Sequence, residues 1–292
     1  MTTITASMVK ELRERTGLGM MDCKKALLEA DGVIDKAIDD LRKASGLKAA
    51  KKAGRVASEG IVLSKVAQDG NFGVMVEINS ETDFVARDEN FLTFANEVLD
   101  QAFLHSEASI DALLAEGLEA SREALVQKIG ENISVRRIER LQVDDADAGI
   151  IETYVHSNNR IAVLLALRGG DSGLGKDIAM HVAAVNPLVV SPEEVPEELL
   201  AKESEIYSAQ ARESGKPEEI IAKMINGRLK KYVAEVSLLE QSFVKNPDLT
   251  IRALLNEAGA DVVSFVRYEL GEGIEKEEVD FATEVAAQLE NS

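Results

Sequence analysis

The sequence predicts an α+β protein, and three observations carry that prediction. Residues 5–44 show apolar side chains at helical spacing in three short runs. A strand, turn, strand and helix pattern then occurs twice, first across 60–103 and again across 149–184. Between 191 and 232 two further helical stripes are joined by Ser214-Gly215-Lys216-Pro217.

The N-terminal module comes first. Met8 and Leu12 mark one helix, and Met21, Ala26, Leu27 and Ala30 a second. Thr16-Gly17-Leu18-Gly19 separates them, with glycines where a tight turn needs them. Asp31-Gly32 ends the second helix, and Val33, Ala37, Ile38 and Leu41 give the third. Three helices with a glycine-hydrophobic first loop resemble a ubiquitin-associated-type module. Lys48-Ala-Ala-Lys-Lys-Ala-Gly54 is expected as a solvated basic linker, which closes a unit at 1–55.

The body is expected as two related α+β halves with antiparallel sheets. In the first, Gly60–Val66 and Phe72–Ile78 flank the turn Gln68-Asp69-Gly70-Asn71, and Phe91 to Phe103 supplies the helix. In the second, Gly149–Val155 and Arg160–Leu167 flank His156-Ser157-Asn158-Asn159, and Lys176 to Ala184 supplies the helix. Third strands are available in Ile133–Ile138 and Val262–Tyr268. The halves are placed at 56–143 and at 144–190 with 233–275. The helical hairpin at 191–232 interrupts the second half. Ser191-Pro192-Glu193-Glu194 is expected to open its first helix, and Ile220, Ile221, Met224, Ile225 and Leu229 stripe its second. The hairpin serves either as internal support or as a contact for a partner or a second copy.

Composition bounds the function. No apolar run approaches the roughly 20 residues that span a bilayer. No charged region followed by an apolar one opens the chain, so no signal peptide is expected. Cys23 is the only cysteine, which rules out an internal disulfide. These features point to a cytoplasmic protein without a membrane partner. Residues 1–55 hold 12 Lys and Arg against 8 Asp and Glu, whereas the rest holds 21 against 44. A body that acidic repels phosphate, so no nucleic-acid partner is expected.

Catalytic chemistry is poorly supplied. His105, His156 and His181 do not share metal-ligand spacing with other donors, so no metal site is expected. No glycine-rich phosphate loop occurs, and no cofactor is expected. Cys23 lies beside Lys24 and Lys25 but suits a small packed thiol better than a reactive one. An enzyme is therefore rejected in favour of a multidomain, acidic binding protein.

The most informative stretch is Ser80-Glu81-Thr82-Asp83-Phe84-Val85-Ala86-Arg87, at a strand-to-helix junction. Ser80 and Asp83 have the spacing of a capping box, which would make Phe84 a core anchor. The same acid and aromatic could instead push into a partner. The residues alone leave both readings open.

Several segments resemble the bacterial elongation factor Ts family. They are Glu11-Leu-Arg-Glu-Arg-Thr-Gly17, Gly19-Met-Met-Asp-Cys-Lys-Lys-Ala-Leu27, Thr82-Asp-Phe-Val85, Lys128-Ile-Gly-Glu-Asn132, Ile178-Ala-Met-His-Val-Ala-Ala184 and Gly271-Glu-Gly-Ile-Glu-Lys276. They span nearly the whole chain in family order. The resemblance implies a guanine nucleotide exchange factor for elongation factor Tu, which displaces the partner's magnesium and loosens GDP. It assigns Thr82, Asp83, Phe84 and Val85 to the magnesium region. It assigns Arg13, Met20, Met21 and His156 to partner binding. It implies that the hairpin is a coiled coil that dimerises, and that 276–292 carries a C-terminal helix which also meets the partner. The rival from another class is a polypeptide-binding adaptor built on the N-terminal module.

Overall fold

A computed structural model describes residues 3–143, 149–212 and 217–275, so the expected C-terminal helix lies outside the described residues. The N-terminal module consists of α1 (Ala6–Thr16), α2 (Met20–Glu29) and α3 (Ile34–Lys52). The Thr5 hydroxyl caps α1 by accepting the Met8 N–H at 3.3 Å. Gly17, at φ 66°, ends it in the left-handed conformation that glycine adopts without strain. Leu12, Cys23, Leu27 and Ala30 are fully buried between the helices.

Helix α3 corrects one expectation. It runs to Lys52, and Ala49 is buried in the core of the first half. The stretch expected as a linker is therefore the end of a helix that ties the module to the body. Lys and Ala are strong helix formers, and no breaker lies between Gly46, which the helix accommodates, and Gly54.

The first half begins with β1 (Glu59–Val66) and β2 (Phe72–Ser80), continues through a 3₁₀ turn at Val85–Arg87, and enters α4 (Glu89–Leu104). Helix α5 (Ile110–Leu113), a wide turn kinked at Gly117, and α6 (Glu119–Ile129) lead into β3 (Ile133–Gln142). The strands pair antiparallel in the order β1-β2-β3. Phe91, Phe94, Ala95, Val98 and Ala102 recur at helical spacing and bury one face of α4 in this half's core.

The second half opens with β4 (Gly149–Val155), β5 (Ile161–Arg168) and α7 (Ser172–Val185). The chain then makes the hairpin helices α8 (Glu197–Arg212) and α9 (Glu218–Val236). It returns through the short strands β6 (Ser242–Phe243) and β7 (Asn246–Thr250), α10 (Ile251–Ala258) and β8 (Asp261–Glu269). The sheet order is β4-β5-β8, again antiparallel. Helix α8 starts later than expected, because Pro192–Glu194 forms only a 3₁₀ turn. Pro196 holds Val195 at ψ 121°, out of the helical region, and α8 begins beyond it. Within α8 and α9 only Ala211 is buried among the described residues.

The repeat extends to atomic detail. The β2–β3 register shifts between Glu77 and Ile78, and the β5–β8 register between Ala166 and Leu167, which are equivalent places in the two middle strands. Each half also donates one backbone bond to the other's turn. Ile151 N–H reaches Gly70 O at 2.6 Å, and Val62 N–H reaches Asn159 O at 2.7 Å. Val62, Met75, Ile151, Ala162, Leu164 and Ala166 pack between the two sheets. A Cβ on Gly73 would lie 2.7 Å from the Ile151 side chain, so glycine permits the approach. One difference stands out: β2 reaches α4 through residues 81–88, whereas β5 reaches α7 through only 169–171.

A buried carboxylate secures the end of β8. Glu77 is fully buried and accepts bonds from Arg136 Nη1 at 3.0 Å, Asn79 Nδ2 at 3.0 Å, the Gly271 N–H at 2.9 Å and Arg137 Nε. Arg137 also lies over the Tyr268 ring, 3.8 Å from its centroid. Burial alone would raise the Glu77 pKa. The bonds from Gly271, Arg137, Asn79 and Arg136 outweigh it and hold the carboxyl below its ordinary value. Burial chiefly pushes the Tyr268 hydroxyl up to about 12.

Candidate functional site

The corner between β2 and α4 is built from both ends. Ser80 Oγ donates to Thr82 O at 2.9 Å as the strand finishes. The Thr82 N–H and hydroxyl both donate to the Glu131 carboxylate, at 3.0 and 2.7 Å. Val85 is buried in the first-half core and pins the far side. Between those anchors Phe84 is 80% exposed. Asp83 Oδ2 pairs with Arg87 Nη2 at 3.0 Å across one helical turn.

This geometry removes the cap-and-core reading. Helix α4 is capped by Asp88, whose Oδ1 accepts the Asn90 N–H at 2.8 Å and the Phe91 N–H at 3.3 Å. The Asn90 side-chain bond, with the two backbone N–H groups and the Lys128 charge, holds the Asp88 carboxyl below its usual range against the opposing effect of burial. Ser80 serves the turn instead of the helix. Phe91 and Phe94 anchor the core, whereas Phe84 points into water. Asp88 just ahead of the apolar period was the sequence signal for the true cap.

The corner faces the second half of the body. A cleft of about 480 Å³ is lined by Glu59, Asp83, Arg87, Leu92, Asn158 and Arg160. Arg160 Nη1 and Glu59 Oε2 pair across it at 2.5 Å. His156 opens the turn on its far side and is exposed. Its Nδ1 lies 2.9 Å from Asn158 Oδ1, which also accepts the Arg160 N–H at 3.1 Å. Asn158 thus presents an oxygen, so His156 carries a hydrogen on Nδ1 and leaves Nε2 on the other side of the ring. The structure therefore brings Asp83 and the His156-bearing turn to one cleft.

The remaining predicted residues form a separate surface. Arg13 and Met20 line a groove of about 510 Å³ on the N-terminal module with Ile4, Val9, Lys10 and Lys24. Met20 is 61% and Met21 74% exposed. Met21 therefore leaves the apolar stripe that spacing suggested, and it lies outside the groove. Glu131 was missed by sequence reasoning, because it reaches the corner from 49 positions away.

Among the described residues no group of three or more His, Cys, Asp or Glu side chains could hold a metal ion. Among them also, no helix is long and apolar enough to cross a membrane. The fold and the corner define a protein whose candidate site is an exposed contact surface, with an apolar side chain held out on a braced turn.

Comparison with known proteins supplies the family. The family model described as Elongation factor TS matches residues 81–272. Elongation factor Ts of Hahella chejuensis is 63% identical over 289 residues, which is 99% of each chain. That of Teredinibacter turnerae is 60% identical over 287 residues, 98% of this chain and 97% of the relative. That of Saccharophagus degradans is 60% identical over 286 residues, 98% of each. The chain belongs to the elongation factor Ts family.

Proposed function

We propose that this chain is a guanine nucleotide exchange factor for elongation factor Tu. It binds the GDP-bound GTPase, disturbs the magnesium site and promotes GDP release, so that GTP can enter. The observation that carries this reading is Phe84, 80% exposed between the anchored Thr82 and Val85. An apolar ring held in water gains free energy only on meeting a partner, about 1.5–3 kcal/mol if fully buried. Magnesium demands near-ideal octahedral geometry, so a small push on the partner's backbone weakens the ion's hold.

Phe84 cannot act alone. A thousandfold faster release requires about 4 kcal/mol, at about 1.4 per tenfold. The rest comes from docking that favours the distorted partner. The groove with Arg13 and Met20, and Met21 beside it, would meet the partner's nucleotide domain. The turn with His156 would reach another domain, and residues 276–292 would add a further contact. Because exchange couples two binding events, GDP must weaken this protein as much as this protein weakens GDP.

The half-buried seam of α8 and α9 suits a contact with a second copy, and we assign the hairpin to homodimer formation. The three-helix module is taken as ubiquitin-associated-like. The chain acts in the cytoplasm as a binding protein rather than an enzyme. The test is release of fluorescent GDP from purified elongation factor Tu. Acceleration that saturates with this protein supports the proposal, and no acceleration at saturation overturns it. Binding without acceleration would favour the adaptor.

A further inference from the structure

We infer that Glu131 is a positioning residue for Phe84, and that the Gly130–Asn132 loop couples the corner to the N-terminal module. The inference rests on the exchange reading and deepens it. The bonds at Thr82 are half of a reciprocal clasp. Glu131 accepts the Thr82 N–H and hydroxyl, while Glu81 Oε1 accepts the Asn132 N–H at 2.6 Å. Each loop thus presents a glutamate to a backbone N–H of the other, and charge-assisted bonds of this kind are the stronger sort.

The same loop holds the end of α3. Lys52 Nζ donates to Gly130 O at 2.6 Å, and the buried Asn132 donates its Nδ2 to Arg55 O at 2.9 Å. Arg55 Nη1 in turn lies 3.5 Å from Glu81. Three segments distant in sequence therefore converge within a few bonds of Thr82. Helix α4 does not need the clasp, because Asp88 caps it. Phe84 stands two residues beyond Thr82 and one before buried Val85, so the clasp and Val85 together set the direction of the ring. A free carboxylate at that place would have no reason to take both donors of Thr82. Through α3, docking of the module bears on the same backbone.

The chain contains no tryptophan, so Phe84→Trp places a single reporter on the corner. In the full chain carrying it, Glu131→Ala is expected to lower the anisotropy of the indole and raise its quenching by acrylamide. In the otherwise native chain, Glu131→Ala is expected to cut the maximal rate of fluorescent-GDP release about tenfold, with half-saturation within about twofold. Glu131→Gln, which keeps a carbonyl for the Thr82 donors, should recover much of that rate. In a Phe84→Ala background Glu131→Ala should cause no further loss. Thr82→Val, which removes one donor and keeps the volume, is the second variant should Glu131→Ala fold poorly. Unchanged anisotropy, or losses that multiply with Phe84→Ala, would overturn the inference. So would a raised half-saturation with an unchanged maximal rate. If the native chain does not accelerate release, the exchange reading fails, and the indole measurements still decide the clasp.

Discussion

The hydroxyls of Ser64 and Thr153 meet at 2.6 Å, and the two residues occupy the same place in the two halves, four positions beyond Gly60 and Gly149. Thr153 gives its one hydrogen to Val163 O at 2.9 Å, so Ser64 must be the donor between them. The contact marks where the two sheets meet, with equivalent residues on either side of an internal two-fold relation. Ser64→Ala removes only the donor and should cost about 1 kcal/mol. Thr153→Val removes an acceptor and a donor and should cost more, up to roughly 2–3 kcal/mol. Urea unfolding of both single variants and the double variant checks the order. A double variant that costs the full sum would show that the pair is not coupled.

Phe84→Ala separates contact from core. An exposed ring contributes little to the fold, so unfolding free energy should change by no more than about 0.5 kcal/mol. Exchange should fall by about tenfold or more, the value of one apolar burial in the complex. Phe91→Ala should do the reverse and cost about 3–5 kcal/mol of stability, because Phe91 is fully buried. Thermal melts beside GDP-release rates distinguish the two phenylalanines.

Glu77 predicts a dependence on acid. Its folded pKa lies below the ordinary 4.5, so the folded chain gives up its proton more readily than the unfolded chain. Its contribution is complete above about pH 4.5 and is lost as pH falls through the folded value. Glu77→Gln leaves Arg136 and Arg137 without their buried counter-charge and should cost about 3 kcal/mol at pH 7. Below the transition the variant and the native chain should converge. Stability measured from pH 7 to pH 3 tests both statements.

His181 predicts a second window. It is fully buried, its Nδ1 accepts the Val244 N–H at 3.3 Å, and its Nε2 therefore donates to Gln241 Oε1 at 2.9 Å. Burial lowers its pKa from the ordinary 6.5, against the Gln241 bond, which raises it. The stability that comes from keeping it neutral is complete above about pH 6.5 and is lost as pH falls toward the folded value. His181→Gln should flatten the part of the profile that begins to fall below about pH 6.5, and leave the Glu77 window in place.

The repeat was legible because its signals are local: alternating strands, turn residues and the helix period of Phe91, Phe94 and Val98. The end of α3 was not, because Lys48–Lys52 looks basic and solvated until Ala49 meets the core across the fold. Strands β6 and β7 and helices α5 and α10 are too short to declare a period, and α6, as long as α1, buries only the adjacent Leu125 and Val126 and so shows no helical stripe. At the corner, the spacing of Ser80 and Asp83 left a capping box open as one of two readings, whereas Asp88 holds the cap. Glu131 lay beyond any local pattern, since its bond to Thr82 joins distant parts of the chain.

The unequal joints of the two halves have a consequence for how such a protein changes. Residues 169–171 show that the repeat folds with a bare connection, so the length that carries Asp83 and exposed Phe84 between β2 and α4 exceeds what the two sheets need. Val85 and Asp88 stay tied to the core and to the helix start, while Asp83 and Phe84 between them and the strand are free to vary under selection for contact. An ancestral doubling would have given the lineage one joint to keep and another to tinker with. New partners could then be tried at that address without refolding anything beneath it.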